Sequence, residues 1–326
     1  MTDSQLNKKL GEKIAELMDN DKYSREAKLN KIRYLIRLGA DVNTMYGAMS
    51  VLNLAKYKKE EKIAKFLEEN GAIDVVDDKK RKSLCYELRD VICIKGGDIN
   101  EVKELIDMGA DVNLNISSGK NVLSEASRMG YIEVVELLIE NDADVNQKND
   151  VDGSSPLGLA CLNNYEDIAK LLISKKADVN HKDREGYTPL MWASYHGNKE
   201  LVELLIKHGA KVNDKNKNGH SVLISGVSSG NKEVVELLIK HGAKVDAKDD
   251  YGNTALINLL YTIKKKEEIA ECLVFHGADM NAKNTRGQTA YEIANSSFKK
   301  AMLQGQNRRK EQKQSAFARI KNFFER

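Results

Sequence analysis

Three histidines, His208, His241 and His276, each directly precede a glycine, at intervals of 33 and 35 residues. Three imidazoles on a regular spacing raise the question of a shared metal ion. Zinc needs each nitrogen within about 2.1 Å, whereas packed helices lie about 8–10 Å apart. The rings would have to converge across that gap. The slot reads better as the last turn of a helix, where the dipole favours an imidazole. His181, His196 and His220 fall in turns, and none implies a nucleophile with a nearby base. No phosphate-cradling G-x-x-x-x-G-K-S/T or G-x-G-x-x-G loop occurs. Acidic pairs such as Asp249-Asp250 recur in turns and read as solvated. No enzyme activity, cofactor or metal is expected.

Cys85, Cys93, Cys161 and Cys272 show no paired spacing and lie in apolar helical patterns. They read as buried free thiols of a reducing compartment rather than disulfides. The 326 residues are 41% hydrophobic and 31% charged, ordinary proportions for a water-exposed protein, but only 6% aromatic, with one Trp. Any exposed aromatic group therefore stands out. The net charge is +3, and residues 298–326 alone carry nine Lys/Arg against two Glu. The rest of the chain is slightly acidic, so no nucleic-acid partner is expected. No stretch has the length and apolarity of a membrane span, and the N-terminus lacks an apolar signal core. The expected location is cytoplasmic, unless export uses a route that leaves no such signal.

The elements that position these residues recur. In the stretch from Asp183 to Asn213, Gly186 sits in a polar turn, Thr188 can cap a helix, and Pro189 fits the first helical turn. Leu190 and Ala193 share one face of that helix, and Gly197 ends it. A second helix carries Leu201, Val202, Leu204, Leu205 and Ile206, and Gly209 closes it in a left-handed cap. One such copy buries too little alone. A sequestered Leu or Ile contributes roughly 1.5–3 kcal/mol, while ordering a residue's backbone costs about 1–2 kcal/mol. It needs neighbours of its own kind.

Those neighbours are present. Turn glycines fall at Gly119, Gly153, Gly186, Gly219, Gly252 and Gly287, spaced 34, 33, 33, 33 and 35. The two prolines, Pro156 and Pro189, are 33 apart in one slot. Second helices repeat almost verbatim from Val134, Ile168, Leu201 and Val234. A 3.6-residue period inside a 33-residue one marks stacked helical repeats. The first pair, residues 4–43, with Leu6, Leu10, Ile14 and Leu17 in its opening helix, reads as a terminal cap. The third copy, about 75–113, is irregular, and its extra length around Val75 to Cys93 predicts a longer first helix or hairpin. Lys264, Lys265 and Lys266 lengthen the eighth copy, and the ninth loses the pattern near Ser296.

Thr188-Pro189-Leu190, Ala193, Gly197, Leu204-Leu205 and the run Gly209-Ala210-Lys211-Val212-Asn213 together resemble the ankyrin repeat. The resemblance covers about residues 4–297, nearly nine copies. It implies an all-α solenoid of stacked antiparallel helix pairs with β-hairpin loops. The family's usual His after Pro-Leu is absent: Met191, Gly158, Ile224, Ile257 and Ser124 stand there. Its hydrogen bonds between loops must be missing or replaced, and somewhat weaker coupling is expected. The Val-Asn pairs ending at Asn43, Asn113, Asn146, Asn180 and Asn213 read as scaffold that bonds the loop backbone.

The resemblance further implies a non-enzymatic scaffold, a monomer that binds a protein partner on a concave face. In the central copies the variable slots of that face are Asp152, Leu159, Glu185, Tyr187, Trp192, Tyr195, Asn218, His220, Ser225, Tyr251, Asn253 and Asn258. Trp and Tyr commonly anchor interfaces. The competing reading packs Trp192 against the next first helix. The tail places Phe317, Ile320, Phe323 and Phe324 at i, i+3, i+6 and i+7 among basic residues. It has three readings: an amphipathic helix for an anionic membrane or a partner, a helix capping the last copy, or a disordered end. The first would make the protein a membrane-recruited adaptor or exported effector.

Overall fold

The computed structural model describes residues 3–20, 22–46, 49–72, 78–115, 119–262 and 267–324. Part of the extra length expected from Val75, and the lysines Lys264–Lys266, lie outside the described residues, as do the side chains of Ile320, Phe323 and Phe324. The chain is all-α and divides into two compact units, residues 1–144 and 145–326.

The first unit contains α1 (Asp3–Asp19), α2 (Arg25–Arg37), α3 (Val51–Tyr57), α4 (Glu61–Glu69), α5 (Asp78–Cys93), α6 (Ile99–Asp107), α7 (Val122–Met129) and α8 (Ile132–Glu140). A two-residue antiparallel pair, β1 (Met45–Tyr46) and β2 (Met49–Ser50), precedes α3. Consecutive helices pair, α1 packs on α3, and α5 on α7. Ile14, Met18, Ile32, Leu52, Leu54, Ile63 and Leu67 form one apolar core through α1–α4. Ile14 is buried as the apolar spacing predicts; Leu10 and Leu17 are half-buried, and Leu6 is exposed. The irregular third copy opens with the 16-residue α5, whose Leu84, Cys85, Leu88, Val91 and Ile92 face inward. Polar contacts also tie this unit together. Buried Lys28 lies 3.6 Å from Glu60 and donates to the Met18 carbonyl at 3.1 Å. Lys58 pairs with Asp107, and the Tyr57 hydroxyl bonds Asn141. Burial pushes the Tyr57 phenol up to about 12.

The second unit contains α9 (Pro156–Leu162), α10 (Glu166–Ser174), α11 (Pro189–His196), α12 (Lys199–Lys207), α13 (Val222–Ser229), α14 (Lys232–Lys240), α15 (Ala255–Tyr261), α16 (Glu267–Phe275), α17 (Ala290–Ile293) and α18 (Ser296–Phe324). First helices stack in the order α9, α11, α13, α15, α17, and second helices in the order α10, α12, α14, α16, α18. The repeated apolar slots account for this. Ile168/Ala169/Leu172, Leu201/Val202/Leu205, Val234/Val235/Leu238 and Ile269/Ala270/Leu273 are all buried. A hydroxyl starts each first helix: Ser155, Thr188, Ser221, Thr254 and Thr289 each accept from the backbone N–H three residues on.

The first half of α18 packs on α16 and closes the stack. Phe298, Ala301 and Met302 are buried, and Arg308 pairs with Glu271 at 2.6 Å. A side chain at Gly305 would meet the Glu271 carbonyl at 2.3 Å, so the close approach requires glycine. Lys59, Asp142, Asn164 and Lys176 have left-handed backbones, with φ of 56–66°. They occupy slots held by glycine in other copies, so packing imposes the cap even where a side chain resists it.

The expected β-hairpin loops are mostly turns. Beyond β1–β2, the described residues show only isolated bridges, Lys215 with Ser221 and Lys283 with Thr289. Each turn is too short for a ladder, and an Asp or Asn side chain closes it instead. All four cysteines are free, with Cys85, Cys161 and Cys272 buried. Burial pushes the Cys272 thiol up to about 11.

The scaffold asparagines join one copy to the next. Asn180 donates to the Gly209 carbonyl at 3.0 Å and accepts from Lys211 N at 2.9 Å. Asn113 does the same with Asp142 and Asp144, and Asn213 with Gly242 and Lys244. Asp246 fills the slot with an acceptor alone, bonding Asp279 N at 2.9 Å. Asn180→Ala is expected to lose about 1–2 kcal/mol in urea unfolding, for two hydrogen bonds. Asn180→Asp keeps the acceptor and is expected to lose less.

Candidate functional site

Five short turns precede the first helices of the second unit, and they line up. Arg184 N donates to the Asp152 carbonyl at 2.8 Å, Lys217 N to Glu185 at 2.9 Å, Asp250 N to Asn218 at 3.1 Å, and Thr285 N to Tyr251 at 2.9 Å. These backbone bonds and the side chains below join the turns in the absence of the histidine. Lys182, Lys215 and Lys248 add a second row, each reaching the carbonyl of the lysine in the next copy. At Gly186 a Cβ would lie 3.0 Å from Asn216 Cα and Lys217 N, so adjacent turns can touch only over glycine.

Within each turn one side chain fixes the backbone. Asp183 Oδ1 accepts from Glu185 N at 3.0 Å and Tyr187 N at 2.8 Å. Burial pushes this carboxyl up, while the two N–H groups pull it down. Asn216 and Asn284 make the same pair of bonds. Asp249 makes them too, to Tyr251 N and Asn253 N, and its Oδ2 gathers further donors. Asn258 Nδ2 lies at 3.1 Å and Asn253 Nδ2 at 3.4 Å, while His220 Nε2 faces it at 3.6 Å, beyond hydrogen-bond reach. Asn284 Nδ2 then bonds Asn253 Oδ1 at 3.1 Å. The result is a polar chain from His220 to Asn284.

The aromatic residues form a second group. Tyr187 leaves its turn under the hold of Asp183, and Thr188 Oγ1 starts α11 by accepting from Met191 N. Trp192 is the fourth residue of α11, and its ring stacks on that of Tyr187 at 4.4 Å with planes 20° apart. Tyr195 meets Trp192 edge-on at 6.3 Å and 88°. Tyr187 and Trp192 are half-buried, and Tyr195 is 49% exposed. Both aromatic partners of Trp192 belong to its own copy.

The other expected residues divide clearly. Asp152, Glu185 and Asn218 are exposed, Tyr251 is 65% exposed, and His220, Asn253 and Asn258 are half-buried. Leu159 and Ser225 are the corrections: 3% and 8% exposed, they belong to the packing between first helices. Trp192 and Asn258, in the same slot of their own copies, stay half-buried. A cleft of about 420 Å³ lies beside Tyr251 and Asn253, completed by Tyr261, Asn284, Thr285 and Arg286. Those four were missed, although the register marks two of them. Arg286 fills the slot of Glu185, and Tyr261 that of Tyr195.

His208 Nδ1 bonds the Leu204 carbonyl of its own helix at 2.9 Å. Among the described residues no group of three or more His, Cys, Asp and Glu is placed to hold a metal ion. Nor is any described helix long and apolar enough to cross a membrane.

Asp249→Ala is expected to cost about 2–3 kcal/mol in urea unfolding, since it strips several donors of a charged acceptor. Asp249→Asn retains the two backbone bonds and should cost less. A family model described as ankyrin repeats (3 copies) matches residues 91–149, 147–216 and 212–284, more than half of the chain. No curated protein matches it.

Proposed function

Because the chain belongs to the ankyrin-repeat family, we propose that it is a non-enzymatic protein–protein interaction scaffold. In this reading it acts as a cytoplasmic monomer. Its partner docks on the first-helix faces and turn tips of the second unit. The observation that carries this is the stacked Tyr187–Trp192 pair with Tyr195 at its edge. Packing between copies does not require these rings: the Trp192 slot holds Leu159, Ser225 and Asn258 elsewhere, and the Tyr187 slot holds Ser154, His220 and Asn253. Large, stiff side chains with a polar edge are the usual anchors of protein interfaces. Asp152, Glu185, Asn218, Tyr251, His220, Asn253 and Asn258 form the surrounding polar surface. Trp192→Ala combined with Tyr187→Ala should leave far-UV circular dichroism and the melting transition nearly unchanged. Binding of a partner captured by the wild-type protein should weaken at least tenfold. A large loss of stability would instead assign Trp192 to the scaffold.

A second reading rests on the far half of α18. That helix continues to Phe324, well beyond the Arg308–Glu271 contact. Residues 311–317 are exposed throughout, and Phe317 is 71% exposed. Arg319 and Lys321 accompany it, a pattern that suits an anionic membrane surface. In this reading α18 recruits the protein and the repeats present the bait. Co-sedimentation with phosphatidylserine-containing vesicles should fall several-fold in the full-length Phe317→Asp variant. Equal pelleting of wild type and variant, or none of either, rules out tethering.

A further inference from the structure

Two exposed carboxylates stand on the turn that leads into the aromatic group and on the turn bonded to it. Glu185 is two residues before Tyr187, and Asp152 is at the tip of the turn bonded to it. Asp152 Oδ1 accepts from Ser154 N at 2.9 Å, which leaves its other oxygen for a further donor. The side chain of Glu185 has no hydrogen bond or ion pair among the described residues. Four of the cations near in the chain are already engaged. Arg184 reaches back to the Asp150 carbonyl. His181 Nε2 donates to the Gly153 carbonyl and His196 Nε2 to that of Leu162, both at 2.6 Å. Lys182 sits 3.4 Å from Asp214. Among the described residues, exposed Lys148, Lys199 and, in the next turn, Lys217 show no such engagement.

Free carboxylates on the turns that carry half-open aromatic rings match one chemistry well. A guanidinium stacks on an aromatic face and at the same time donates two parallel N–H bonds to a carboxylate. An ammonium offers the charge but not the planar stack. An acidic segment would meet Glu185 and Asp152 as like charges. We infer that the Tyr187–Trp192–Tyr195 face receives an arginine-bearing segment of the partner, with Glu185 and Asp152 as its counter-charges. This deepens the interaction reading above and rests on it.

Trp192 is the chain's one tryptophan, so its emission reports this site directly. The test titrates the full-length protein with blocked hexapeptides of arginine, lysine, glutamate and glutamine. The arginine peptide should change Trp192 emission saturably, with the lysine peptide at least threefold weaker and the others without effect. Raising NaCl from about 50 to 500 mM should weaken the arginine complex several-fold, because the contacts are exposed and screened. The double variant Asp152→Lys, Glu185→Lys should lose at least tenfold in affinity. Asp152→Asn, Glu185→Gln should lose less, and Lys217→Glu should gain. Circular dichroism of each variant checks that the fold persists.

Several results would overturn the inference. One is glutamate peptide binding as well as arginine; another is lysine equalling arginine. Unchanged affinity in the charge-reversed variant, weaker binding in Lys217→Glu, or no emission response at all would do so too. None of these touches the broader interaction reading. Loss of partner capture on removing Trp192 and Tyr187 judges that separately.

Discussion

A single amide, repeated, joins the copies of this protein. Asn180 bonds both a carbonyl and an N–H of the copy that follows, and Asn113 and Asn213 do the same in their own places. Each such group spans about thirty residues of chain and closes the gap between two otherwise independent helix pairs. The apolar stripes supply the attraction, but attraction between smooth stripes does not specify register. A two-point amide clamp does, because a shift of one residue breaks both bonds at once. Lysine side chains on the next copy's carbonyls, and backbone bonds between turns, repeat that constraint at two further levels.

With register held from behind, the front of the turns is free to vary. Asp183, Asn216, Asp249 and Asn284 each fix their own turn with the same two bonds, so the side chain two residues after each is not needed to hold it. Glu185, Asn218, Tyr251 and Arg286 occupy equivalent positions with different chemistry. The surface is therefore a row of independent choices on a uniform frame. The aromatic group and the cleft beside Tyr251 are two of those choices, one apolar and one polar.

Much of the frame could be read from the sequence, because its signals are periodic. Pro156 and Pro189, the glycine spacing and the leucine pairs located the helices. The long α5 matched the extra residues of the irregular copy. Burial within a slot was less legible. Leu159, Trp192, Ser225 and Asn258 share one register position, yet the first and third are buried and the other two half-buried, so register alone does not decide what is covered. The joining of the turns without that histidine was also hidden. It comes from backbone groups, which every residue carries, and from Asp249, whose partners span from His220 to Asn258. Periodicity reports which residues face inward; it does not report which polar atoms meet.

The clamps have a consequence for how the chain reaches this state. Their partners lie about thirty residues apart in sequence, and the second-helix cores join only adjacent copies. Such a topology has low contact order and allows a search confined to neighbouring segments. Within the second unit, structure can begin in any pair of copies and spread by nearest-neighbour addition. The most regular pairs, α11–α12 and α13–α14, are the natural nucleus. The α18 cap docks on α16, so it belongs to the end of that propagation rather than its start.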